Sequence, residues 1–322
     1  MALWELGDLS TPWCVNVAAT LRVAHHIRDG HEEIGALAAA AHADRDALHR
    51  LMRHLARRGM FVEAPPGRFT LNEAAQEFLD DVALAGLDLD GFGGRLAGAW
   101  NTLLTAVRTG KCAYHEVFGR SYWEDLEAHP AIAAQFDLLM GPGHGTPDPE
   151  ILVNPADWQD VRSVVDVGGG TGMQLAAILR AHPRVQGTLL DLPRALAQSA
   201  AVFEAAGVAD RVRVAGQSFF DPLPAGADVY VMKNVLADWP DAEATAILRR
   251  CAEAARPNGR VVAFTGAGPG EEADPELLML ILVGGRGRTL EEFREMGHTA
   301  GLEMTAHGRQ PCGRYIAEFR PV

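Results

Sequence analysis

The 322-residue sequence predicts an α/β protein in two parts, a mostly helical domain over 1–150 and a sheet domain over 151–322. Three observations predict this. The chain is long enough for two domains of ordinary size. A stretch rich in breakers, Gly141-Pro-Gly-His-Gly-Thr-Pro-Asp-Pro, divides it. Beyond that stretch, short apolar runs alternate with helical patterns at the spacing that builds a parallel sheet covered on both faces.

In the first part, Val15, Val17, Ala18, Leu21 and Val23 begin an apolar helix. Two short helices follow, over 34–41 and 44–58, with Asp44 as the N-cap of the second. Gly59-Met-Phe-Val-Glu and Pro65-Pro-Gly-Arg-Phe-Thr-Leu read as two short strands around a Pro/Gly turn. Helix, helix, hairpin is a winged-helix layout. Two more helices are expected over 92–109 and 121–140. In the second part, strands are expected at 163–167, 186–190, 211–215, 228–232 and 260–265, with helices at 172–182, 193–206 and 242–256. Late strands near 302–307 and 314–319 bring the sheet to seven.

Composition narrows the function. The net charge is −13 with a pI near 5.4, which opposes general binding to nucleic acid or anionic membrane. The N-terminus has no basic region followed by an apolar one, so no signal peptide is expected. The longest purely apolar run, Leu277 to Val283, is far short of the roughly 18 residues a membrane span needs. Cys14, Cys112, Cys251 and Cys312 lie far apart and make no metal spacing with histidine. Free thiols in a cytoplasmic protein without a metal are expected.

The segment Val164-Val-Asp-Val-Gly-Gly-Gly-Thr-Gly172 is a buried strand running into a glycine turn, with a helix behind it. Gly168 and Gly170 allow positive φ and a close approach of ligand to backbone. A dinucleotide fingerprint fails, because its third glycine would fall on Met173 or Leu175. A Rossmann-like turn with Asp166 but no diphosphate cradle suits a nucleoside ligand without a diphosphate, such as S-adenosylmethionine (SAM). Asp191, in Leu189-Leu-Asp-Leu-Pro193, stands where a strand tip can accept ribose hydroxyls, with Leu192 beside it. The plainer alternative is a helix cap. Ser218 can bond the adenine edge and Phe219 can cover its face, or Phe219 can be core.

Together these segments resemble the class I SAM-dependent O-methyltransferases of the plant-caffeate and bacterial-polyketide type, over nearly the whole chain. Thr11 to Ala24 looks like that family's first dimerisation helix, and Lys233-Asn-Val-Leu-Ala-Asp-Trp and Gly284-Gly-Arg-Gly-Arg-Thr look like its active-site motifs. The resemblance implies a homodimer, SAM as methyl donor with S-adenosylhomocysteine as product, and contacts to SAM from Lys233 as well as from Asp166, the glycine turn, Asp191, Ser218 and Phe219. It implies a small aromatic or polyketide substrate from antibiotic metabolism, free or carrier-tethered. Trp123, Met140, His144, Leu278 and Met279 are candidates for the substrate pocket; for each, core or solvated loop is the plainer role.

The chain departs from the family where the base should be. The family's catalytic histidine aligns with Ala237, and its two acidic partners with Thr265 and Gly287. Asn234 and Asp238, which flank the vacant position, are the candidate catalytic residues; capping the helix before Pro240 is an equal alternative for Asp238. Methyl transfer by proximity is physically reasonable. A general base is worth about 10²–10⁴-fold, whereas placing the reactants in line is worth about 7–11 kcal/mol. Two other readings stand beside it. One is SAM-dependent chemistry without methyl transfer, such as hydroxylation, decarboxylation or pericyclic reaction. The other is a DNA-binding regulator using the arginines at 45, 50, 53, 57 and 58.

Overall fold

The structure is a computed structural model that describes residues 3–140, 147–272 and 276–322. Its described residues form two compact units. Residues 3–101 with 128–140 make the first, and 102–127 with the chain from 147 onward make the second.

In the first unit, helices Ser10–Thr20, Val23–Arg28, Ile34–Ala40 and Arg45–Arg57 lead into β1 (Phe61–Glu63) and β2 (Phe69–Leu71), an antiparallel pair. Asp44 caps its helix by accepting the Ala47 N–H at 2.9 Å. Leu37, Leu48, Met52, Leu55, Phe61 and Phe69 pack into one core. The arginines of helix Arg45–Arg57 are drawn into local ion pairs, Arg50 to Asp46 and Arg53 to Glu63.

Two expected helices are each divided. The 92–109 helix becomes Phe92–Trp100 and Leu103–Thr109. At the break the Asn101 amide donates to the Gly98 carbonyl, competing with the helical ladder. The 121–140 helix becomes Tyr122–Ala128 and Pro130–Met140, because proline fits only the first turn of a helix. The sequence groups residues 102–127 with the helical part, whereas in the structure they pack within the second unit.

The second unit is a seven-stranded sheet. Its strands are β3 (Ser163–Val167), β4 (Gln186–Asp191), β5 (Val212–Gly216), β6 (Val229–Met232), β7 (Arg260–Thr265), β8 (Leu302–Arg309) and β9 (Tyr315–Pro321), in the order β5-β4-β3-β6-β7-β9-β8. The first five pair in parallel; β9 is antiparallel to both β7 and β8. The sheet is therefore mixed, not wholly parallel. The connection 310–314 between β8 and β9 is too short for a parallel crossover, so it closes a hairpin. Along β3 the apolar residues alternate between faces. Val165 and Val167 join the core under helices Asp241–Ala255 and Leu290–Thr299, while Val164 joins the core under Met173–Ala181. Each fully buried valine or leucine contributes about 1.5–3 kcal/mol, so β3 is a stiff platform for the glycine turn at its carboxyl end.

Candidate active site

The chain runs β3, β4, β5 outward on one side, then returns to place β6 on the other side of β3. The carboxyl ends of β3 and β6 therefore flank a topological switch point, where open α/β sheets bind ligands. The glycine turn sits there. Gly168 has φ +71°, and a Cβ at this position would lie 2.7 Å from the Val235 side chain and 3.4 Å from the Phe219 ring. Only glycine fits. A Cβ at Gly170 would instead meet open space, so this part of the turn is a cradle with room above its backbone.

Asp166, at the end of β3, is 1% exposed, and its Oδ2 has no hydrogen-bond partner. Burial pushes its carboxyl up to about 7; nearby Lys233 opposes the shift and Asp191 adds to it. Lys233, just past β6, donates to Gln174 Oε1 at 3.2 Å, and Gln174 in turn donates to the Asp148 carbonyl at 2.6 Å. Burial and Arg314 hold the Lys233 amine below its ordinary value, against the pull of Asp166, Cys312 and Asp148. An orphaned buried carboxylate oxygen beside an open glycine cradle fits a ligand carrying an ammonium group, as the methionine end of SAM does.

At the tip of β4, Asp191 accepts the Gly170 N–H at 2.8 Å on Oδ2 and the Leu192 N–H at 2.7 Å on Oδ1. A carboxylate oxygen can accept more than one hydrogen bond, so this strand tip suits ribose hydroxyls as well. The Ser218 hydroxyl accepts the Phe220 N–H at 3.2 Å, and the Phe219 ring lies against Gly168. The fold thus brings Asp166, Gly168, Gly170, Asp191, Phe219 and Lys233 together from separate strand ends.

The segment after β6 forms the other side of the site. Asn234 adopts φ +56° and its side chain accepts from Arg314 at 3.0 Å. A tight turn over 236–238 carries Ala237 and Asp238. Burial pushes the Asp238 carboxyl up to about 7, and the neighbouring Glu276 carboxylate adds to the shift. The Thr265 hydroxyl donates to the Ala267 carbonyl at 3.2 Å. Trp239 sits among aromatic rings, nearly parallel to Trp123 at 6.1 Å and edge-on to Phe219 at 5.8 Å and Phe220 at 4.9 Å.

Leu278 and Met279 lie partly buried on helix Leu277–Leu282. Met140 ends helix Pro130–Met140 in the first unit and is exposed. His144 lies outside the described residues. Sequence reasoning missed Gln174 and Asp148, which steady Lys233, and the aromatic seat of Trp239. No local motif marks them, since their partners are distant in sequence. Among the described residues, no group of three or more His, Cys, Asp or Glu could hold a metal ion, and no helix is long and apolar enough to cross a membrane.

Comparison with known proteins places this geometry. Residues 100–303 match a family model described as an O-methyltransferase domain. The chain is 42% identical over 311 residues to a 2,7-dihydroxy-5-methyl-1-naphthoate 7-O-methyltransferase from Streptomyces carzinostaticus, covering 95% of this chain and 93% of that protein. It is 39% identical to an aclacinomycin 10-hydroxylase from Streptomyces purpurascens, covering 94% and 84%. It also superposes with a TM-score of 0.89 and 39% identity on an O-methyltransferase of neocarzinostatin biosynthesis solved with SAM and 2-hydroxy-5-methyl naphthoic acid, over 100% of this chain and 99% of that one.

Proposed function

The chain belongs to the O-methyltransferase family and is a SAM-dependent O-methyltransferase, and from this we propose that it methylates a hydroxyl of a fused aromatic, polyketide-derived acid by proximity and orientation. SAM supplies an electrophilic methyl on a sulfonium sulfur. Asp191 holds the ribose, Phe219 and Ser218 hold the adenine, and the Asp166 carboxylate pairs with the ammonium. Leu192 and the glycine turn line the cradle. Trp123, Leu278 and Met279 form the wall for the acceptor ring.

The observation that carries the reading is the cofactor site at the switch point, where the glycine turn, the orphaned Asp166 oxygen and Asp191 meet. By the resemblance, Ala237 and Thr265 stand where a histidine and one of its acidic partners are expected, and neither side chain can act as a base. Alignment then supplies most of the rate. Asp238 is the carboxylate in this turn that receives the proton of a weakly acidic acceptor, and Asn234 orients the segment. An acceptor already ionised needs neither. The first unit serves for dimerisation, and the enzyme works as a cytoplasmic homodimer on a free substrate; a carrier-tethered one is the alternative.

The test is turnover with SAM and a set of hydroxynaphthoic acids, following methylated product and S-adenosylhomocysteine by mass spectrometry. Stoichiometric formation of both supports the reading, and SAM binding without turnover of any acceptor sinks it. A second reading, hydroxylation in place of methyl transfer, is favoured by the 39% identity to the hydroxylase. It predicts a hydroxylated product that takes its oxygen from dioxygen with an added reductant, with SAM unconsumed.

A further inference from the structure

Arg288 is the largest side chain among those the described residues bury completely, at 2% exposure. Its guanidinium is fully used on one feature. Nη1 donates to the Leu236 carbonyl at 2.6 Å, Nη2 to the Trp239 carbonyl at 2.7 Å, and Nε to Asp241 Oδ1 at 2.9 Å. The two carbonyls bracket the turn that carries Ala237 and Asp238, and Asp241 opens the helix behind it. The neighbouring glycine segment presses on the same turn. A Cβ at Gly285 would fall 2.0 Å from the Ala237 carbonyl oxygen and 2.7 Å from the Asp238 carbonyl carbon. Arg286 braces the arrangement from outside, pairing with both Asp241 and Glu292.

This buried cation and its glycine neighbour hold the 236–239 turn in place from both sides. Building on the methyltransferase reading, we propose that Arg288 is a positioning residue: it fixes the 236–239 turn so that Asp238 and the Trp239 ring, seated between Trp123 and Phe219, align the acceptor against the methyl donor. Arginine is needed because a planar fork can bridge two carbonyls and a carboxylate at once. An ammonium at the same place is a single point charge and cannot span them. The link from cofactor to acceptor runs through side chains in contact: Phe219 touches the glycine turn, Trp239 touches Phe219, and Trp123 touches Trp239.

The test compares Arg288→Lys and Asp241→Asn with the wild type. For Arg288→Lys the expectation is a kcat about 10²-fold lower, since a misplacement on the order of 1 Å costs about that much. SAM affinity by calorimetry should stay within about twofold, because no group assigned to SAM moves. Amides at 237–239 should exchange with deuterium faster. Asp241→Asn, an isosteric change at a largely solvent-facing side chain, should lower kcat about 3–10-fold with the same exchange signature. Unchanged kcat and exchange in both variants, with only a lower Tm, would mean a purely structural role and overturn the proposal. If Arg288→Lys does not fold, Asp241→Asn decides by the same criteria. Should the wild type turn over no hydroxynaphthoic acid, the acceptor proposal fails by itself, and the exchange comparison still decides the role of Arg288.

Discussion

Asp166 shows how much chemistry one buried residue can hold. Its carboxyl titrates near 7 in the folded chain, whereas an exposed aspartate titrates near 4. Between about pH 4 and 7 the folded state therefore binds more protons than the unfolded one, and stability without SAM falls as pH rises through that window. A ligand ammonium favours the ionised carboxylate and reverses the shift. SAM binding should thus release a proton and tighten as pH rises through about 7. Calorimetry in two buffers of different ionisation heat will read this, and Asp166→Asn should flatten the dependence and weaken binding. Asp238 makes a second prediction with the same sign. If it takes the acceptor's proton, kcat/KM for a weakly acidic phenol rises with pH through about 7, and Asp238→Asn removes the rise. Placing a base in the turn, Ala237→His, should speed a weakly acidic phenol and do little for an acidic one; an equal gain for both would contradict the proposed arrangement.

At the level of elements, the strands were the easiest to read. β3 and β7 match their expected limits, because a contiguous apolar run ending in glycine or turn residues has few other homes. The helix limits were harder. Pro130 marks a break that hydrophobic periodicity alone passes over, and the break at Asn101 depends on a side-chain bond to Gly98. The glycine turn was legible for a physical reason: three glycines in a row after a buried strand are costly unless the backbone needs positive φ. Gly168→Ala tests that element. Its Cβ would strain φ +71° and push on Val235, so SAM binding should fall by at least tenfold in calorimetry while circular dichroism stays close to wild type. Retained affinity would show that the turn relaxes and does not depend on this glycine.

Across the whole molecule, the segment before and into the first long helix carries apolar side chains that the single chain leaves uncovered. Leu3, Leu6 and Leu9 are exposed, and Trp4 is 88% exposed. Large apolar side chains left exposed so close together in sequence suit a contact with another molecule, which accords with the proposed homodimer. Sedimentation should give twice the chain mass of 34.6 kDa, and a double change of Trp4→Ser and Leu6→Ser should shift the equilibrium toward the monomer. A wild type that stays monomeric at micromolar concentration would remove the dimer from the proposal.

The order of strands and helices, the glycine turn and the acidic residues at the tips of β3 and β4 were determined by the sequence itself. Each is a local pattern in which backbone geometry or residue type forces the reading. Only the tertiary structure decided how those pieces meet. It revealed the orphaned oxygen of Asp166, the brace of Gln174 and Asp148 under Lys233, the aromatic seat of Trp239 and the grip of Arg288 on a turn some fifty residues earlier. These depend on side chains distant in sequence converging where strands cross over. Burial and long-range hydrogen bonds, which no local spacing encodes, set their chemistry.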